Sequence, residues 1–75
     1  MAERKPIIQI IAESPTGRKI AMLRVLKGYS QQQLAEKCGL SKETIYAWEN
    51  NRRNPEPRSL RDVSKVLGVI EEDLL

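Results

Sequence analysis

Residues 31–51, QQQLAEKCGLSKETIYAWENN, constrain the fold most, because they carry two helix starts with one helix stop between them and no room for a long loop. Ser30 is placed to cap the first helix. Gln33, three residues on, can reach back to the Ser30 N–H, the reciprocal pairing of a capping box. Leu34, Ala35 and Cys38 then fall on one face. Gly39 stands where a helix ends in the left-handed conformation that glycine adopts without steric penalty. Ser41 caps a second helix running through about Asn50, in which Ile45 and Trp48 are spaced to share a face. Two helices joined by so short a turn must cross steeply, and Ala35 supplies the small side chain where the backbones come closest.

The rest of the chain has to hold that pair still, with little material. Seventy-five residues make one domain at most, and a domain this small buries only about 60% of the surface its unfolded chain exposes, so its core must be compact and helical. One cysteine and no histidine remove disulfide frameworks, the usual zinc ligand sets and histidine-based proton transfer, so an enzyme is not expected, nor a metal or cofactor. Cys38, at an apolar helical position, reads as a small core residue, and a lone thiol fits a reducing cytoplasm. No apolar run approaches the ~20 residues that span a bilayer, and PIIQIIA is too short and interrupted for a signal-peptide core, so the expectation is a cytoplasmic protein without a membrane partner.

Outside the helical pair, Pro15 and Ser14 or Thr16 open a helix that runs to about Lys27 and stops at Gly28. Ile20, Leu23 and Leu26 or Lys27 form its apolar face, which Met22 and Val25 widen, predicting burial against both the central pair and the C-terminal helices. NRRNPEP, residues 51–57, reads as loop. Ser59, with Asp62 three residues on, starts a helix whose buried stripe is Leu60, Val63, Val66 and Leu67 and which ends at Gly68. A short last helix over residues 71–75 returns Leu74 and Leu75 to the core. The isoleucines at 7, 8, 10 and 11 suit a strand by β-branching and a helix by their common arc, and so short a run does not decide between them. A lone strand needs a partner. Residues 1–15 are therefore read as an extension that is either a strand pairing with a second subunit, and so a dimerisation arm, or an arm or extra turn of helix on the same core.

Ala35, Gly39, Ile45 and Trp48 are similar in type and spacing to the DNA-binding helix-turn-helix. The wider frame, from Arg24 through YSQQQLAEKCGLSKETIYAWENNRRNP to LGVIEEDLL, resembles the phage repressor and Cro class, the XRE-type family, over residues 16–75. That resemblance implies an all-α, five-helix, lambda-repressor-like DNA-binding domain over 16–75. The implied function is a sequence-specific transcriptional regulator, a homodimer on a pseudo-palindromic operator in double-stranded DNA, of the phage repressor, restriction–modification controller or antitoxin type. A protein–protein interaction module of the same fold is the rival. No ligand-sensing domain is evident in these residues. The family places a capping Ser or Thr where this chain has Ile70, so the last helix is expected to start less well.

Charge and helix geometry nominate the surface. Thirteen Lys and Arg against ten Asp and Glu leave +3 overall. Residues 52–61 hold four arginines against Glu56, and residues 62–75 hold Lys65 against four acids, so the positive part adjoins the second central helix, as a phosphate-facing surface requires. With Ile45 and Trp48 turned inward, Glu43, Ala47 and Asn50 point outward, flanked by Tyr46 and Lys42. The candidate base readers are Lys42, Glu43, Tyr46 and Ala47: Lys42 to guanine, Glu43 to cytosine N4, the Ala47 methyl to thymine. Gln31 and Gln32, at the positive end of the first central helix, and Asn50, Arg52, Arg53 and Arg58 beyond the second are the candidate phosphate contacts, Gln31 by family resemblance in particular. The resemblance also implies a structural salt bridge between Arg24 and Glu49. Trp48 and Tyr29 read as packed rings.

Overall fold

A computed structural model describes residues 6–75, and several helix boundaries in it trace to local chemical signals. Helix α1 spans Ile7–Ala12, α2 Thr16–Leu26, α3 Gln31–Cys38, α4 Lys42–Glu49 and α5 Pro57–Leu67, and a 3-10 turn covers Glu71–Leu74. At the start of α3 the capping box is complete: the Gln33 N–H donates to Ser30 Oγ at 3.0 Å, and the Ser30 N–H donates to Gln33 Oε1 at 2.8 Å. Ser41 caps α4, accepting from the Thr44 N–H at 3.2 Å. Gly39 lies at φ 69°, and the Leu40 N–H reaches back to the Ala35 carbonyl at 2.8 Å, which closes α3 and turns the chain directly into α4.

These helices bury one core. Ile20, Leu34, Ala35, Ile45, Val63 and Leu74 are fully buried, Trp48, Leu60 and Leu67 nearly so, and Leu23, Tyr29, Leu40, Val66 and Val69 pack around them. Ala35 sits at the α3–α4 crossing without exposed surface, as a steep crossing demands. Cys38 is half-buried against the same core; burial first, and then the Asp62 carboxylate, push its thiol up from the ordinary value.

Several expectations are corrected. Of the two conformations open to the isoleucine run, the described part, Ile7–Ala12, is helical; residues 1–5 lie outside the described residues. There is no strand among the described residues. Helix α5 starts two residues before Ser59, at Pro57. A proline in the first turn lacks an N–H that would have had no helical acceptor anyway, so no side-chain cap is needed. Val25 and Leu26, expected to be buried, are 63% and 64% exposed, because α1 is only six residues long and does not cover that side of α2. Leu75, expected in the core, is exposed, while Leu74 is buried. At the last turn the Ile70 N–H donates to Asp73 Oδ2 at 3.4 Å, half of a capping arrangement whose other half an isoleucine has no atom to make. The segment winds as 3-10 rather than α.

Candidate nucleic-acid interface

Helix α4 is held by two neighbours and presents its remaining side to solvent. Ile45 and Trp48 face the core, while Lys42, Glu43 and Tyr46 are exposed and Ala47 is half-buried. On the α2 side, Arg24 forms a forked pair with Glu49: Arg24 Nε donates to Glu49 Oε2 at 2.7 Å and Nη2 to Oε1 at 2.9 Å. The side chains are 15% and 6% exposed, so the pair is largely withdrawn from water. Arg24 Nη1 also donates to the Tyr29 carbonyl at 2.8 Å, and Gln31 Nε2 donates to Glu49 Oε1 at 3.1 Å. One carboxylate thus ties together α2, the start of α3 and the end of α4. The geometry is the planar, multiply bonded kind for which arginine is suited and lysine is not.

The C-terminal end of α4 closes in a way the sequence reading did not anticipate. Asn51 adopts the left-handed conformation at φ 58°, the Asn51 N–H donates to the Trp48 carbonyl at 3.1 Å, and the Arg52 N–H reaches the Ala47 carbonyl at 2.9 Å. Asparagine is among the side chains that tolerate this conformation best. Here it swings Arg52 back toward the exposed face, where the guanidinium lies 5.6 Å from the centre of the Tyr46 ring. Asn50 Nδ2 donates to the Tyr46 carbonyl at 2.9 Å, which engages it as an end cap of α4.

Gly17 was also missed. A Cβ there would collide with the Trp48 carbonyl oxygen and lie 2.9 Å from Asn51 Oδ1, so the first turn of α2 rests directly on the last turn of α4. The only sequence signal was an isolated glycine inside a helical pattern, which cost no reading and so drew none.

The other candidate residues differ in what already engages them. Arg53 is exposed and, with Thr44, Asn54 and Glu56, edges a shallow polar crevice of about 200 Å³ beside Trp48. Arg58 is exposed in the first turn of α5. Gln32 is exposed, its amide donating to Glu36 at 3.1 Å along its own helix, whereas Gln31 is half-buried and committed through one N–H to Glu49.

The sequence profile of the helix-turn-helix family matches residues 20–75. This chain belongs to that family, the XRE-type DNA-binding transcriptional regulators. It is 42% identical over 60 residues to the HTH-type transcriptional regulator SinR of Bacillus subtilis, covering 79% of this chain and 54% of SinR. It is 33% identical over 58 residues to the uncharacterized HTH-type regulator YazB of the same organism, covering 77% of this chain and 84% of YazB. The chain thus spans about half the length of relatives such as SinR and most of the shorter ones. Among solved structures, SinR in complex with DNA superimposes with a TM-score of 0.75 at 40% identity, covering 79% of this chain and 95% of that one. The P22 c2 repressor on a synthetic operator does so with a TM-score of 0.80 at 27% identity, covering 83% and 94%. No helix of the described residues is long and apolar enough to cross a membrane.

Proposed function

We propose that this domain binds double-stranded DNA sequence-specifically as a homodimer on a pseudo-palindromic operator, regulating transcription in the cytoplasm. The observation that carries the reading is the exposed face of α4, whose C-terminal end meets the start of α3 through the Gln31–Glu49 contact and runs on into the exposed Arg52 and Arg53. Lys42, Glu43, Tyr46 and Ala47 are assigned to base edges, and Gln31, Gln32, Arg52, Arg53 and Arg58 to phosphates. Asn50 serves the phosphate side through the α4 end it caps. That SinR, 40% identical, was solved in complex with DNA, and the P22 c2 repressor on an operator, supports DNA binding by this fold. Gln31 keeps a second amide N–H for a phosphate because only one is spent on Glu49.

Counterion release makes the reading measurable. With about three to five cationic contacts per subunit, the dimer's log affinity should fall against log salt with a slope steeper than about −5. Arg53→Ala and Arg58→Ala should each weaken every duplex alike and flatten the slope by about one. Arg52→Ala should do the same and also release the Tyr46 ring. Site selection from random duplexes followed by binding at several salt concentrations checks this. No binding to any duplex at low salt would favour a protein-docking role for the same fold.

A further inference from the structure

The apolar side of α2 that α1 fails to cover carries an inference about where two copies meet, and it rests on the homodimer reading above. Around α2, Arg18, Met22, Val25 and Leu26 lie roughly 120° from Gly17 and Arg24, which face α4. An occupant on that side leaves the exposed face of α4 free. Between α1 and α2 runs an open groove of about 460 Å³ floored by Ile10, Ile11, Met22, Val25 and Leu26, with Arg18 as its charged edge. On the other side of α1, a second groove of about 210 Å³ is lined by Ile11, Ala12, Leu23 and Val69, with Asp73 as its charged edge. Ile11 borders both, so the two form one apolar strip with α1 as its ridge. Ile70, next to Val69, is 61% exposed.

The strip leaves Ile10, Val25, Leu26 and Ile70 in water, and covering them would be favourable. Its charges identify the occupant. A two-fold interface must be self-complementary, so that a contact from one residue of the first copy to another residue of the second is matched by the reverse contact. Here a ridge lies between two grooves, with a cation edging one and an anion edging the other. That arrangement suits a second copy whose ridge fills the first groove. We propose that the α1–α2 face is the homodimer interface, with Ile10, Val25 and Leu26 at its apolar centre and Arg18 meeting Asp73 of the partner subunit across the two-fold axis.

Sedimentation equilibrium from micromolar to hundred-micromolar protein tests this, with helical content followed by circular dichroism in every variant. The wild type should dimerise. Leu26→Glu, at an exposed position that should not disturb folding, should weaken the dimer about tenfold or more. Arg18→Asp and Asp73→Lys should each weaken it, because two like-charge contacts replace two pairs, and the double reversal should restore it. A wild type that stays monomeric, a Leu26→Glu variant that associates like wild type, or a double reversal no better than the singles would overturn the proposal. Binding to a half-site duplex at low salt separates this from the functional reading. The Leu26→Glu variant should match wild type there, whereas a wild type that dimerises as described but binds no duplex removes the DNA reading and leaves the interface standing.

Discussion

Glu43 is the residue at which the proposed base recognition is tested most sharply. It is exposed in the first turn of α4, where the helix dipole favours a carboxylate, yet a phosphate-lined groove repels one. Accepting a hydrogen bond from cytosine N4 offsets that repulsion and is worth about 1–3 kcal/mol of discrimination. Glu43→Gln should therefore relax or switch the preferred base pair at one position per half-site while non-specific affinity stays level or rises, as read from selected sites. An unchanged site would move base reading to Lys42, Tyr46 or Asn50. Gly17 makes the opposite kind of demand, for the absence of atoms. Gly17→Ala has to push α2 off the Trp48 carbonyl, and should cost about 2–3 kcal/mol of stability, measured by denaturant unfolding, with a general loss of DNA affinity as α4 shifts.

At the scale of elements, α4 is positioned by α2 more than by the turn that joins it to α3. The turn sets direction through Gly39, but register along α2 comes from the Gly17 contact at one end and the Arg24–Glu49 fork near the other. Removing one member of a largely buried pair strands the other charge, so Arg24→Met should cost about 3 kcal/mol. It also frees the Gln31 amide from its anchored carboxylate. The variant should melt at lower temperature and bind all operators more weakly, with site preference unchanged; replacing Glu49 as well should recover part of the stability. A single variant with unaltered melting and a changed operator would place Arg24 on DNA instead.

For the whole molecule, stability and assembly separate along the chain. Among the described residues the buried hydrophobic core lies between Ile20 and Leu74, while in α1 Ile11 is half-buried and Gln9, Ile10 and Ala12 are exposed. Deleting residues 1–13 should accordingly leave the helical signal of the remaining elements and cooperative unfolding in place while weakening self-association, as sedimentation and circular dichroism would report. Loss of the fold on deletion would show that α1 is a core element. Unchanged association would detach the dimer from this face.

Much of the domain was legible in one dimension because its signals are local. Ser30 with Gln33, Ser41, Gly39 and the Ile45–Trp48 spacing act within a few residues of themselves, and the boundaries of α3 and α4 follow from them. The outward face of α4 follows in turn, since a helix with one buried stripe has its opposite side determined by rotation alone. What only the tertiary structure decided depends on groups distant in the chain. Asn51 at positive φ, Gly17 against the Trp48 carbonyl and Arg52 over Tyr46 arise where the ends of helices meet. The isoleucine run had no such local arbiter. Its conformation was open by periodicity, and whether Val25 and Leu26 are covered depends on how far α1 reaches over α2, a length that no pattern within α2 encodes.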